Sequence, residues 1–322
     1  MRPFSLLLIA LFVCSGCTPI DPLSSWNESE VKDAITIYLA QVTDPSHPDF
    51  IPVPERVAVL DNDGTFWCER PDYPSSMFQR GLLTTFVQQG KVEADHEPYP
   101  AWVANDRDAL RAFGWTKAYQ EMNKAFAGMP VTAFRDSAEA FMNRTPHSEF
   151  QVRFTELYYE PMLELARLLE QHDFQVWVVT GAEQDFVRSY ILDASGIPPE
   201  RVIGSWTPAA SDVVDGLVTV VRSDTQVNNG YEAKPGNIET RIGRRPVFAA
   251  GNSNNDFPMC LYSVTGPRRG LALWIHHDDE AREYDYDRGT SRMAELTGNN
   301  AAAFEVSMEN DWLRVFKEGI GR

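Results

Sequence analysis

The chain has 322 residues, 43% of them hydrophobic and 23% charged, with 18 Phe and 8 Trp; a chain of that size and composition can bury a substantial core and is neither disordered nor fibrous. Acidic residues outnumber basic ones 46 to 29, a formal charge of −17. Such a surface repels phosphate backbones, so nucleic acid is excluded as an expected partner.

Arg2 and the apolar run Leu6 to Val13 (LLLIALFV) read as an export signal, because the run is too short to span a bilayer. It ends at Cys14-Ser15-Gly16-Cys17. Small residues directly before a cysteine resemble a bacterial lipobox, which implies lipidation at Cys17 and a membrane contact through a lipid anchor only. An ordinary secretory signal cleaved nearby is the alternative. Either reading puts the mature protein outside the cytoplasm, on the periplasmic side, where a disulfide can persist. Cys68 and Cys260 then allow one bridge or two buried free thiols. Residues 1–17 are thus a signal peptide, and residues 18–50 a tether followed by an amphipathic helix. Asn27 to Val42 makes that helix, with Asn27 as cap, Glu30 completing a capping box, and Val31, Ile35 and Leu39 on one face.

Val57 to Leu60 (VAVL) has no polar break and predicts a strand buried on both faces, as in a parallel sheet. Residues 71–159 read as mostly helical and aromatic, with breaks at Gly90, Pro98, Pro100, Gly128 to Pro130 and Pro146. Pro161 to His172 predicts a helix, Gln175 to Val179 (QVWVV) a second buried strand, and Val187 to Ala194 a helix ended by Gly196. Val202 to Val221 alternates around Asp215-Gly216 and predicts a β-hairpin. Pro246 to Ala250 (PVFAA) and Leu271 to Ile275 (LALWI) are the third and fourth core strands. Strands alternating with helices predict a doubly wound, mostly parallel α/β sheet. Residues 51–70 and 160–322 then form its core, and residues 71–159 an inserted helical cap.

Each core strand ends in polar residues, and sites in such sheets gather beyond the carboxyl ends of the strands. The first ends in Asp61-Asn62-Asp63-Gly64-Thr65, the second in Thr180-Gly181, and the third in Gly251-Asn252-Ser253-Asn254-Asn255-Asp256. Lys234 lies between, in AKPGNIETRIG. Singly each has a dull reading: turn formers, a strand-to-helix turn, a solvated lysine, a helix cap. In this order they resemble the four motifs of the haloacid dehalogenase-like hydrolase superfamily in its phosphatase branch, over nearly the whole mature chain. The tail His276 to Arg288 (HHDDEAREYDYDR) also looks like that of bacterial secreted or lipoprotein members.

The resemblance implies a Rossmann-like fold and hydrolysis of a small phosphate ester through an aspartyl-phosphate. Asp61 would be the nucleophile and Asp63 the general acid and base. Thr180 and Lys234 would stabilise the transferred phosphoryl group, with Gly181 among the substrate contacts. Mg²⁺ is the implied cofactor, held by Asp61, the Asp63 carbonyl, Asn252 and Asp256. Gly64 allows the tight turn and Thr65 can hold the loop by a local hydrogen bond. Asn252 stands where many relatives carry Asp, which removes one negative charge. A dehalogenase or phosphonatase is a second reading within the superfamily, and a non-catalytic binding lipoprotein on a decayed hydrolase fold is a third. Glu69 and Arg70 are candidate substrate contacts or a surface ion pair. His276 to Asp279 could shape the pocket, bind a second metal or form a solvated loop. Trp67, Trp102 and Trp115 could wall the substrate or fill the core.

Overall fold

The computed structural model describes residues 21–321. The export signal and Cys17 lie outside the described residues. In chain order the strands are β1 (Val57–Leu60), β2 (Gln175–Glu183), β3 (Val202–Ser205), β4 (Ala209–Val214), β5 (Leu217–Arg222), β6 (Phe248–Gly251), β7 (Leu271–Asp278), β8 (Asp285–Tyr286) and β9 (Ala303–Ser307). The helices are α1 (Glu30–Thr43), α2 (Pro74–Gln88), α3 (Tyr99–Ala104), α4 (Arg107–Phe113), α5 (Trp115–Lys124), α6 (Val131–Arg144), α7 (Glu160–Gln171), α8 (Gln184–Arg188), α9 (Ile191–Ser195), α10 (Ala233–Ile242), α11 (Phe257–Val264), α12 (Ser291–Asn299) and α13 (Met308–Asp311).

The apolar runs become the middle of one sheet. Its order is β3-β2-β1-β6-β7-β8, with β9 also paired to β7. Every pairing is parallel except the short β7–β8 contact. β1 and β6 are buried along their whole length, as strands covered on both faces must be. From β1 the chain builds outward to β2 and β3, then returns to the other side of β1 with β6, β7 and β9. The order reverses between β1 and β6, and a crevice opens beyond their carboxyl ends at such a switch point.

Several elements differ from the sequence expectation. Val202–Ser205 is not part of the hairpin but the edge strand β3 of the main sheet, in register with Val178 and Val179. Only β4 and β5 form the hairpin. The helix expected over Val187 to Ala194 is two short helices. Tyr190 between them leaves helical geometry, and its ring stacks on Trp67 at 5.2 Å and packs edge-on to Phe186 at 5.3 Å. Aromatic packing here outweighs one or two helical hydrogen bonds. Pro100 falls in the first turn of α3, where a missing N–H costs nothing, so it opens a helix rather than breaking one.

At the amino end, α1 is capped by Ser29, whose hydroxyl accepts from the Lys32 amide; Glu30 is the first helical residue and closes no capping box. Asn27 is held elsewhere, its amide donating to Asp311 O at 2.8 Å and its Nδ2 to Asn310 O at 2.7 Å. The stretch before α1 is not a free tether once residue 21 is passed. Leu23 and Trp26 are buried, Trp26 edge-on to Trp312, and Ser25 bonds Glu164 through both its amide and its hydroxyl. Two apolar side chains in a polar, Pro-rich stretch found a slot that only the folded carboxyl end provides.

Helices α2 to α6 pack over the rim of the sheet and share one apolar cluster with it. The hairpin clamps them there. Arg222 of β5, fully buried, donates to Glu183 at the end of β2 (2.7 Å), to Asn123 of α5 (2.9 Å) and to Thr207 (2.8 Å). Its guanidinium also lies 3.9 Å from the centre of the Phe134 ring in α6. Among the described residues no helix is long and apolar enough to cross a membrane. Cys68 and Cys260 are both buried free thiols.

Candidate active site

Beyond β1 the chain turns sharply. Asn62 O accepts the amides of Thr65, Phe66 and Trp67, and Gly64 takes φ +73°, a left-handed conformation that other residues adopt only with strain. The Asp61 amide still pairs with Ala250 O of β6 at 3.0 Å, so the first carboxylate is fixed by the sheet itself. Thr65 contributes only its amide. Its hydroxyl is buried and has no hydrogen-bond partner, so the expected side-chain tie is absent. The loop is braced instead from β7, where His277 sets Nε2 2.7 Å from Gly64 O and Nδ1 3.0 Å from Glu283 Oε2.

Lys234, at the start of α10, is fully buried and donates to Asp61 Oδ1 (2.7 Å), Asp256 Oδ1 (2.6 Å) and Val179 O (2.8 Å). Those three acceptors use all three ammonium protons. Lys234 is therefore the counter-charge of the two carboxylates, and their attraction holds its pKa above the ordinary lysine value against its burial. Burial raises the Asp61 carboxyl well above the usual carboxylate range, and Asp256 adds repulsion that Lys234 only partly offsets.

Asp63 is also raised by burial, opposed by hydrogen bonds from Trp67 Nε1 to Oδ1 (3.0 Å) and from Thr180 Oγ1 to Oδ2 (3.3 Å). Thr180, expected to meet phosphate, spends its hydroxyl on Asp63 and on the Ala182 amide at 3.0 Å. Both oxygens of Asp63 are thus oriented, and a carboxyl whose proton affinity burial raises is better suited to carry a proton than an ordinary one.

Asp61, Asp63, Thr180 and Gly181 line a cavity of about 290 Å³ between the sheet rim and the overlying helices. Its far wall is Ser75, Ser76 and Gln79 of α2 with Trp115, Thr116 and Tyr119 of α5. Glu69, Glu183, Asn252, Ser253 and Asn255 are among the residues of the rim side. Asp256 is set apart from the other expected ligands. It is fully buried behind the cavity, with Oδ1 on Lys234 and Oδ2 accepting the amides of Asn252 (3.1 Å) and Ser253 (3.0 Å). Arg70 is also off the cavity wall, its guanidinium lying 4.0 Å from the centre of the Tyr286 ring. Of the three tryptophans only Trp115 lines the cavity. Trp102 is core, donating to Ala118 O, and Trp67 is buried beneath Asp63.

His276 to Asp278 are not a solvated loop, because β7 runs on through Asp278, and Asp279 just beyond it is buried. His276 stacks on Trp274 and bonds Glu305 and Asp287, Asp278 accepts from Ser307 and the Glu309 amide, and Asp279 pairs with Arg282. Sequence reasoning missed the bracing by His277, the indole bond of Trp67 and the far wall apart from Trp115. None of these carries a local signal, since each depends on elements far apart in the chain.

The donor set suits a hard cation. Asp61, Asp63, Glu69 and Asp256 are four buried carboxylates, of which one buried lysine meets only Asp61 and Asp256, and Mg²⁺ would offset the remaining negative charge. Among the described residues no three His, Cys, Asp or Glu converge as a metal site by themselves. Ligation here would draw on a main-chain carbonyl and the Asn252 amide beside the carboxylates.

The family described as haloacid dehalogenase-like hydrolase matches residues 58–260. Among solved structures, a conserved functionally unknown protein from Anaerococcus prevotii DSM 20548 is similar with a TM-score of 0.55 and 13% identity, over 90% of this chain and 97% of that one. At that identity the likeness is one of fold. A protein of unknown function from Bordetella pertussis Tohama I covers 78% of this chain and 98% of its own at a TM-score of 0.49 and 15% identity. Cytosolic 5'-nucleotidase IIIB bound to cytidine covers 87% of each at 0.45 and 13%. Neither of the last two is close enough to carry a functional argument. No curated protein matches this chain.

Proposed function

Because the chain belongs to the haloacid dehalogenase-like hydrolase family, we propose that it is a Mg²⁺-dependent phosphomonoesterase acting on a small phosphorylated metabolite. The pairing of Asp61 with Asp63 at the mouth of the cavity carries this reading: one carboxylate is counter-charged by Lys234, the other oriented on both oxygens.

A carboxylate oxygen of Asp61 attacks phosphorus, forming an aspartyl-phosphate as the bond to the leaving alcohol breaks. Asp63 gives its proton to that alcohol oxygen, then takes one from the water that attacks the phosphorus. Inorganic phosphate leaves and the Asp61 carboxylate is restored. Gly181 lines the cavity, and with no side chain its backbone would be open to the phosphoryl oxygens. Asp61, the Asp63 carbonyl and Asn252 would hold Mg²⁺. When bound, it polarises the phosphoryl group and cancels its charge.

Asp63 speaks against a dehalogenase or phosphonatase, which need no acid two residues after the nucleophile. Asn252 is the feature that favours a non-catalytic binding protein. Turnover of p-nitrophenyl phosphate, dependent on Mg²⁺ and abolished by chelator, is expected; no turnover at any Mg²⁺ concentration would leave the binding protein standing.

We propose also that the protein is exported and held at the membrane by a lipid on Cys17. Cys17→Ser is expected to move the mature protein to the soluble fraction or to block its processing. Unchanged fractionation would leave a plain secretory signal.

A further inference from the structure

We propose that Glu69 supplies the negative charge of the cation site that Asn252, a neutral amide, leaves out. The proposal rests on the Mg²⁺-dependent reading of the site. Its observation is the space over Gly64. A β-carbon built there would stand 2.0 Å from Asn252 Nδ2, 2.8 Å from Asn252 Cγ and 2.9 Å from the Glu69 carboxyl carbon. The amide and the carboxyl therefore lie side by side over one α-carbon, in the residue directly after Asp63. Both line the cavity that Asp61 and Asp63 enter. Only a glycine, at φ +73°, lets them meet there.

The other carboxylates at or behind the cavity are already spent. Asp256 is used by Lys234 and by two amides of its own loop. Glu183 is used by Arg222 and the Phe186 amide, each at 2.7 Å. Asp63 is held at both oxygens. Glu69 is 5% exposed, yet its neighbouring cation, Arg70, keeps Nε 3.8 Å from Oε1, beyond hydrogen-bond distance. The Tyr286 hydroxyl also approaches it. The Tyr286 hydroxyl, a distant guanidinium and the His277 imidazole, whose two nitrogens are taken by Glu283 and Gly64 O, are poor compensation for a buried carboxylate. A cation shared with Asp61 and the Asp63 carbonyl would offset that cost. Charge count is a main determinant of affinity for hard metals, so a site with Asn at 252 and Glu at 69 keeps the count of one with Asp at 252.

Calorimetric titration of Mg²⁺ into the substrate-free protein tests this, comparing wild type, Glu69→Gln, Asn252→Asp and the double variant. Glu69→Gln is expected to weaken Mg²⁺ by about tenfold or more, since one anionic ligand is lost. Asn252→Asp in that background is expected to restore most of the affinity, and in the wild type to raise it. Wild-type affinity in Glu69→Gln overturns the proposal; with a raised KM for phosphate ester it makes Glu69 a substrate contact. Weakening that Asn252→Asp does not repair also overturns it, because shape rather than charge would then be at issue. Wild type that takes up no Mg²⁺ removes the cofactor reading itself, and the proposal with it. If Glu69→Gln does not fold, Glu69→Asp keeps the charge, and its expected affinity stays within a few-fold of wild type. A loss as large as that from neutralising the carboxyl would overturn the proposal.

Discussion

Asp61→Asn is expected to reduce phosphate ester hydrolysis by about 10⁴-fold or more, as loss of a covalent nucleophile does. An amide does not form the aspartyl-phosphate, and Asp63 lies too firmly between Trp67 and Thr180 to take over the attack. The fold should survive. Asn keeps an oxygen that can accept the Lys234 bond made now by Oδ1 at 2.7 Å. In chelator the variant should unfold no earlier than wild type, because burial and the charge of Asp256 make the wild-type carboxylate costly to hold ionised. Active sites commonly carry such a cost for the sake of function. Turnover and thermal unfolding of the same preparation decide it. A variant retaining a tenth of wild-type turnover would remove Asp61 from the nucleophile's role.

Lys234→Met is expected to cost about 3–5 kcal/mol of folding stability, the range for removing one partner of a buried charged network. The ammonium is fully buried and has three oxygen partners, so no water stands ready to replace it. Asp61 and Asp256 would be left facing each other unpaired. The pH dependence follows from the direction of the Asp61 shift. Its folded-state pKa already lies above the ordinary 3.8, and without the lysine it rises further. The folded chain then binds the proton more tightly than the unfolded chain. Stability is greatest in acid and falls as the pH rises through the folded-state value. Urea midpoints at pH 5 and pH 8 should therefore separate more widely in Lys234→Met than in wild type, and activity should fall with the share of Asp61 that is ionised. Equal midpoints for the two proteins at pH 8 would contradict the buried network.

The four apolar runs at β1, β2, β6 and β7 were legible because a strand covered on both faces has no polar residue to interrupt it. β3 and β9 were not. Val202–Ser205 merges with an alternating hairpin pattern, and Ala303–Ser307 is too short and too mixed to stand out. The cap of α1 moved from Asn27 to Ser29 because Asn27 is bound to the carboxyl end of the chain, a partner 283 residues away. Local capping rules do not see such competition.

By itself the sequence determined the four central strands, the alternation of strands with helices, the polar residues at those strand ends, and the family to which they belong. It also determined the acidic charge excess. These are properties of short segments, written in apolar runs, turn residues and composition. Tertiary structure alone decided how the polar residues are used. Lys234 is consumed by Asp61 and Asp256, Thr180 turns to Asp63, Asp256 ties up its own loop, and Glu69 comes to rest beside Asn252 over Gly64. Several groups of like polarity compete for each partner at the rim. Which of them wins depends on distances set by the packing of β1, β2, β6 and α10 against one another, and no local pattern encodes those distances.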